Sequence, residues 1–178
     1  KHGDPWSFRR EKHTVRVRFA DQTVLAVPYD TPVIGYHTDN VATLRLWQCE
    51  AEQELDFDAF NSQDYERALT EKNRAEDITR VLYPNDSTVE GKRLRIKQQY
   101  FLSSASLQDI LRTYNSSGNG DLQRLGEFIA VQLNDTHPAM SIPELIRLLM
   151  AEGIDFDRAF AITRSVFSYT NHTVMGEA

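Results

Sequence analysis

The chain has 178 residues, of which 40% are hydrophobic and 26% are charged, and its formal net charge at pH 7 is -6. This length and composition predict a folded globular segment with a sizeable core. The acidic balance argues against a nucleic-acid partner, and no apolar run approaches the roughly 18 residues that a membrane-spanning helix needs. Cys49 is the only cysteine, so no disulfide forms within the chain and a reducing compartment is favoured.

The two ends of the sequence resemble cut ends rather than natural ones. The chain begins without an initiator Met, so the lack of a signal peptide carries no information. It stops at Ala178 without an element that would close a domain. We therefore expect a segment of a longer protein.

The first part of the chain predicts three strands. Residues 14–19 alternate between apolar and basic side chains, as a half-buried strand does. Residues 22–29 form a second predicted strand, which Pro28 and the turn-prone residues after it should end. Residues 41–49 alternate again and form the third.

The middle of the chain predicts two helices. Residues 62–80 have helical spacing, but the apolar stripe is thin and the other positions are mostly charged. Such a helix either contacts another unit or is an ordinary exposed helix. A loop rich in turn residues follows over residues 82–92, and a second helix runs from 92 to 114. Small residues at 103–106 predict either a close-packing point or a kink in this helix.

Positive charge is concentrated where this second helix begins. Four basic residues lie there: Lys92, Arg93, Arg95 and Lys97. The helix dipole is already positive at this end, so the placement is unfavourable unless it is compensated. Asp86 and Glu90 can offset part of it, and an anionic or polyhydroxylated ligand beside the loop is the functional alternative to a solvated face.

The last third of the chain alternates between apolar strand and helix patterns. Residues 128–133 form a short apolar run, typical of a strand that is covered on both faces. Ser141 and Glu144 have the spacing of a capping box, so a helix should begin at residue 141. Residues 155–169 form a further predicted helix. Strands followed by alternating helix and strand indicate an α/β segment.

Four polar side chains follow the predicted strand at once: Asn134, Asp135, Thr136 and His137. In open α/β sheets, ligands bind beyond the carboxyl ends of the strands, and the next helix adds oriented backbone N–H groups. Asp135 and His137 are therefore candidate ligand-binding residues. The alternative is that Asp135 and Thr136 only cap the next helix and that His137 is a buried structural residue.

A similar polar run, which contains His172, follows the last predicted helix. Alone, this histidine is weak evidence for a site. The histidines and Asp135 fit no compact metal-binding motif, so no metal site is expected. Nucleophile-elbow, Walker and dinucleotide-binding motifs are also absent from the sequence.

Longer strings carry a resemblance that covers nearly the whole chain in the right order. "RVLYPND", "LRIKQQYF", "VQLNDTHPAMSIPELIRLL" and "YTNHTV" resemble the α-glucan phosphorylases, the family of glycogen, starch and maltodextrin phosphorylases. The resemblance implies a two-lobed glycosyltransferase fold of the GT-B type with Rossmann-like lobes. Residues 1–178 would form part of the N-terminal catalytic lobe, and the C-terminal lobe would be absent.

The resemblance also implies an activity in carbohydrate metabolism. The parent enzyme would use inorganic phosphate to cleave the terminal unit of an α-1,4-glucan and release glucose 1-phosphate. Pyridoxal 5'-phosphate would be the cofactor, and its attachment lysine would lie in the missing lobe, so this segment alone is expected to be inactive. The alternative is a non-catalytic module for carbohydrate binding or dimerisation.

Individual roles follow from matching positions in the family motifs. Asp135 and His137 would line the acceptor side of the sugar cleft. His172 would contact the transferred glucosyl unit through its side chain and its backbone carbonyl. Asp86 and Ser87 would belong to a mobile gate loop over the active site. Arg95 would line the wall of the cleft.

The resemblance also implies a partner subunit, and the sequence departs from the family pattern at several positions. A cytoplasmic homodimer is implied, with the helix around residues 64–80 packing against the second subunit. Ser87 and Thr88 stand where many members carry asparagine and an aromatic residue, so a purine inhibitor site is not expected. Thr113 stands where AMP-activated members carry a second arginine, so AMP should not activate. The link from Ala20 to Asp21 is shorter than in the family, and residues are expected to be missing there.

Overall fold

The computed structural model describes residues 6–118 and 120–174, and the chain divides into two compact units, Lys1–Arg95 and Ile96–Ala178. The first unit contains β1 (Phe8–Arg9), β2 (Val15–Arg18), β3 (Thr23–Ile34), β4 (Val41–Ala51), α1 (Phe57–Asn61), α2 (Tyr65–Ala68) and α3 (Thr70–Arg80). Helix α4 (Val89–Ser116) begins in the first unit and continues into the second. The second unit then contains α5 (Leu125–Phe128), β5 (Val131–Asn134), α6 (Ser141–Ala151), α7 (Phe156–Val166) and β6 (Phe167–Thr170). The mixed helix and strand content confirms the α/β prediction.

The first unit is built on an antiparallel sheet around β3. This strand pairs with β4 from Val24 opposite Ala51 to Ile34 opposite Val41, and its other edge pairs with β2 and β1. The alternation predicted for residues 14–19 is confirmed, because Val17 is fully buried between exposed arginines. Strands β2 and β3 are joined by a tight turn in which the Phe19 N–H donates to the Gln22 carbonyl over 2.8 Å.

The prediction that Pro28 ends the second strand is wrong, because β3 continues to Ile34. The Pro28 carbonyl accepts a hydrogen bond from the Arg10 N–H over 2.9 Å, on the side away from β4. The N and C=O of one strand residue point to the same side, so the missing proline N–H removes no bond to β4. Pro32, four residues further on, has the same orientation.

A buried acid lies in this sheet. Asp30 is 7% exposed and accepts two hydrogen bonds from Arg45, over 2.6 and 2.7 Å, and a longer one from Arg10 over 3.3 Å. The Arg45 hydrogen bond is the main reason why the pKa of Asp30 lies below its ordinary value. The pair joins neighbouring strands β3 and β4 and has a structural role within the first unit.

The single helix predicted over residues 62–80 is wrong, because the segment forms α2 and α3 with a break at Leu69. Asp64 caps α2 by accepting a hydrogen bond from the Arg67 N–H over 3.2 Å. The thin apolar stripe is largely used within the unit, where Ala75 and Ile78 are each 1% exposed. Thr79 beside them accepts a hydrogen bond from the Cys49 N–H of β4, which fixes α3 on the sheet.

The long helix α4 begins three residues earlier than predicted. The compensation expected at its basic start is confirmed, because Arg93 pairs with Glu90 and Arg95 pairs with Asp86. Further along, the small residues at 103–105 are buried, so this part of the helix is a close-packing point.

The second unit contains a parallel pair of strands, β5 and β6, in which Val131 lies opposite Phe167 and Asn134 opposite Thr170. The strand predicted at 128–133 is confirmed with a shift, because residue 128 ends helix α5, but the expected cover on both faces is wrong, since Gln132 and Asn134 are exposed. The helix predicted over 155–169 is wrong at its end, since the chain becomes extended from residue 167. The core of the unit is built by apolar residues of four helices: Leu107, Leu111, Leu125, Leu145, Leu149, Ala159, Ile162 and Val166.

Helix α6 begins at Ser141 as predicted, but the capping box is wrong. The residue before the helix is Met140, which makes no side-chain cap, and Glu144 uses its carboxylate elsewhere. Glu144 is 3% exposed and accepts a hydrogen bond from Ser104 over 2.6 Å and two from Arg147 over 2.7 and 2.8 Å. The Tyr100 hydroxyl lies 3.4 Å from the same carboxylate, and burial, followed by the Glu144 charge, raises the pKa of Tyr100.

Candidate functional site

The candidate site lies at the carboxyl ends of β5 and β6. Because the two strands are parallel and in register from Val131 to Asn134, the residues that follow them emerge at the same edge. The side chain of Gln132 donates to the Thr170 hydroxyl over 2.7 Å and links the strands near this edge. Polar residues therefore meet here because of strand pairing and not because of sequence proximity.

Asp135 is the first residue beyond β5, and it turns the chain sharply. Its φ is 62°, in the left-handed region that aspartate tolerates better than most residues. Its N–H donates to the Thr170 carbonyl over 2.8 Å, and its Oδ1 accepts a hydrogen bond from the His172 N–H. Asp135 is half-buried, and within residues 6–118 and 120–174 its second carboxylate oxygen receives no donor.

His172 lies two residues beyond β6 and is exposed. The turn that carries it is ordered locally, because the side-chain oxygen of Asn171 accepts a hydrogen bond from the Thr173 N–H over 3.1 Å. In the part of the chain that the structure describes, no donor occupies the His172 carbonyl. The imidazole and this carbonyl are thus available to a ligand at the strand edge.

His137 lies in the turn between β5 and α6 and is half-buried. The turn is closed by a hydrogen bond of 3.0 Å from the Ala139 N–H to the Thr136 carbonyl. The capping alternative for Asp135 and Thr136 is wrong, because α6 begins after Met140 and receives no side-chain cap. The common location of His137 with the other two site residues stays a prediction.

Asp86, Ser87 and Arg95 lie in the first unit. Arg95 forms an ion pair with Asp86, and its guanidinium carbon lies 5.9 Å from the ring centroid of Tyr83. The Ser87 N–H donates to the Asn85 side chain over 2.9 Å. These contacts hold residues 83–87 against the first two turns of α4, so the structure brings Asp86 and Arg95 together as neighbours.

Glycine is required at position 91, where α4 meets this loop. A Cβ at Gly91 would lie 1.9 Å from the Asn85 carbonyl oxygen, which is an impossible contact with the backbone. The Gly91 N–H donates to the Thr88 hydroxyl over 3.1 Å, so the same position also helps to cap the helix. The loop that carries Asp86 and Ser87 is therefore packed closely on the helix.

The sequence-based interpretation missed the link between Asp135 and the His172 backbone. It also missed Gln132 and Thr170, because residues 167–169 were predicted to be helical and the pairing of β5 with β6 was not expected. The polar run after each element was the available signal, and it singled out Asp135 and His172, which the structure brings into contact; their functional role stays a prediction. Among residues 6–118 and 120–174, no three His, Cys, Asp or Glu side chains form a potential metal cluster.

No helix in residues 6–118 and 120–174 has both the length and the apolar character needed to cross a membrane.

Comparisons with known proteins agree with the motifs described above. The family model described as carbohydrate phosphorylase matches residues 1–178. The chain is 44% identical to the brain form of glycogen phosphorylase from Homo sapiens and from Rattus norvegicus, and 42% identical to the muscle form from Oryctolagus cuniculus.

Each of these alignments covers all of this chain but only 24% of the relative. The alignments extend over 200 positions against 178 residues here, so the relatives carry residues without a counterpart in this chain. A deletion between Ala20 and Asp21 in particular stays a prediction. With a family model that matches from the first residue to the last, the chain belongs to the carbohydrate phosphorylase family.

Proposed function

We propose that this chain is a segment of an α-glucan phosphorylase. The full-length enzyme would transfer the terminal glucosyl unit of an α-1,4-glucan to inorganic phosphate and release glucose 1-phosphate. Family membership over the whole chain and the identity to glycogen phosphorylases support this proposal. The segment alone would be inactive, since it corresponds to 24% of the length of those relatives.

The observation that carries the proposal is the contact between Asp135 and His172 at the carboxyl ends of a parallel strand pair. Ligands of α/β proteins bind at this edge of the sheet. The second oxygen of Asp135 would accept a hydrogen bond from a hydroxyl of the glucan, and the His172 imidazole would contact the transferred unit. The His172 carbonyl dipole would stabilise positive charge that develops on the sugar ring.

The other predicted residues receive supporting roles. His137 would shape the acceptor side of the same cleft. Asp86 and Ser87 would belong to a loop that gates the cleft, and Arg95 would line its wall while its ion pair with Asp86 holds the loop. The close packing of Gly91 on Asn85 supports a loop with a defined resting conformation.

The full-length fold would be a two-lobed glycosyltransferase of the GT-B type, with this chain as part of the N-terminal Rossmann-like lobe. Its pyridoxal 5'-phosphate would need a lysine amine for a Schiff base. The groups gathered at the strand edge are a carboxylate, an imidazole and backbone amides, and these do not supply that amine. The cofactor is therefore assigned to the lobe outside this chain.

We further propose a cytoplasmic homodimer that forms through residues 64–80. Because Ala75 and Ile78 are buried within the first unit, the contact would use the exposed apolar residues Tyr65 and Leu69, which are 57% and 41% exposed. AMP would not activate the enzyme, since Thr113 replaces the second arginine of the activated members.

A phosphorolysis assay on the full-length protein tests the proposed function. Maltoheptaose and inorganic phosphate should yield glucose 1-phosphate only when pyridoxal 5'-phosphate is bound. His172→Ala should lower kcat/KM by about tenfold, since it removes the contact of the imidazole with the transferred unit but keeps the backbone carbonyl. His37→Ala, in the exposed turn between β3 and β4, is the matched histidine control and should retain activity.

A cofactor-loaded full-length protein that makes no glucose 1-phosphate from any α-glucan would refute the enzyme and favour the non-catalytic binding module.

A further inference from the structure

We infer that Asp135 is a positioning residue for His172 as well as a ligand contact, with one carboxylate oxygen assigned to each task. Oδ1 fixes the His172 backbone, and Oδ2 remains for a sugar hydroxyl. The ligand part of this inference rests on the proposed function, whereas the positioning part rests on the geometry of the second unit alone.

Parallel strands have a regular hydrogen-bond pattern. In a parallel ladder, one residue donates its N–H to the partner strand and accepts through its C=O from a partner N–H two residues further on. Asp135 makes the first of these bonds, from its N–H to the Thr170 carbonyl over 2.8 Å. A continued ladder would place the Asp135 carbonyl opposite the His172 N–H.

The second bond is made by the side chain instead of the backbone. The left-handed φ of 62° at Asp135 ends the extended conformation, so its carbonyl no longer continues the ladder. Its Oδ1 accepts the His172 N–H in place of that carbonyl. The carboxylate thus completes the last rung of the strand pair, although the chain has already turned away.

Because Oδ1 replaces the backbone carbonyl as the acceptor, it fixes the position of His172. Asp135 holds the segment that follows β6 at two points, the Thr170 carbonyl and the His172 N–H. The residue between these two points, Asn171, is therefore constrained from both sides. The exposed imidazole and the open carbonyl of His172 therefore have a defined position relative to the end of β5. A carboxylate acceptor forms a stronger hydrogen bond than a neutral one and still has a second oxygen for a ligand.

Residue chemistry at this position separates the two tasks. Asparagine tolerates the left-handed conformation and keeps an Oδ1 acceptor, but it replaces Oδ2 by an NH2 donor. Glycine accepts the conformation without strain but has no acceptor at all. Asp135→Asn therefore removes only the Oδ2 acceptor for the ligand, whereas Asp135→Gly removes both acceptors while leaving the backbone unstrained.

The test measures amide hydrogen exchange of His172 and the kinetics with maltoheptaose in the full-length protein. In Asp135→Asn, exchange of the His172 amide should stay near the original rate, KM should rise by about tenfold and kcat should change little. In Asp135→Gly, this exchange should accelerate by about tenfold or more, and kcat should fall by about tenfold to 100-fold. Thr136→Ala, on the neighbouring exposed side chain, is the control and should change neither quantity.

Two results would overturn the inference. One is unchanged exchange of the His172 amide in Asp135→Gly, which would show that Oδ1 does not hold the turn. The other is an equal loss of kcat in the asparagine and glycine variants, which would assign the whole effect to the ligand contact. Hydrogen exchange does not require turnover, so a protein without phosphorolysis activity would refute the proposed function and leave the positioning claim to be judged separately.

Discussion

Two carboxylates of the second unit, Glu144 and Asp135, show how surroundings assign different tasks to the same chemical group. Glu144 is 3% exposed, and Ser104 and Arg147 donate to both of its oxygens at 2.6 to 2.8 Å. Asp135 is half-buried at the edge of a strand pair, with one oxygen bonded to a backbone N–H and the other open among the described residues.

Burial with full hydrogen bonding indicates a structural acid, because such a carboxylate has no oxygen left to accept a hydrogen bond from a ligand. An acid with one fixed and one open oxygen can hold the protein and a ligand together. Glu144 should therefore determine stability, and Asp135 should determine activity.

The largest expected effect is on stability. Glu144→Ala should lower the free energy of unfolding by about 3 kcal/mol, because the buried partner Ser104 loses its acceptor and a cavity opens. Asp135→Asn should leave this free energy nearly unchanged, because it keeps the acceptor and the tolerated backbone conformation. Denaturant unfolding of both variants provides the measurement.

Glu127→Ala is the matched control for this comparison. Glu127 forms an exposed pair with Arg124, and exposed pairs contribute little to stability, so its midpoint should match that of the original protein. The assigned roles would be reversed if Asp135→Asn were the more destabilised variant.

A smaller effect should appear at alkaline pH. Burial raises the pKa of Tyr100 above its ordinary value of about 10, so the folded state retains this proton longer than the unfolded state. The stability that this difference contributes is complete below the ordinary value and is lost as the pH rises through the raised pKa. Tyr100→Phe should therefore lose less stability than the original protein in this alkaline range.

Thermal unfolding of the two proteins between neutral and alkaline pH checks this prediction. Near pH 7, Tyr100→Phe should cost only about 0.5 kcal/mol, since the hydrogen bond to Glu144 is long at 3.4 Å. Parallel losses of stability in both proteins would show that this hydroxyl does not titrate differently on folding.

Local patterns predicted much of the fold. The alternation over residues 14–19 placed Val17 in the core, and the helix start at Ser141 was predicted correctly, although from a capping box that does not form. Proline misled the interpretation of β3, because the effect of Pro28 depends on which neighbouring strand its nitrogen faces. That side is set by pairing with distant residues and cannot be read from the local pattern.

The sequence pointed to individual residues of the candidate site but not to the strand pairing that brings them together. The polar runs after the strand and after the helix pointed to Asp135 and His172. The pairing of β6 with β5 was missed, since residues 167–169 continue a helical pattern and the strand over 167–170 forms only through tertiary contacts. Glu144 was misassigned to a cap for a related reason, because its partner Ser104 lies forty residues earlier.

A crystal structure of the full-length protein with bound maltoheptaose tests the central claim most directly. We expect a sugar hydroxyl within hydrogen-bond distance of Asp135 Oδ2, with the His172 N–H still bonded to Oδ1 and the imidazole facing the oligosaccharide. An oligosaccharide bound away from the ends of β5 and β6, or an Asp135 side chain that releases His172 when the sugar binds, would contradict it.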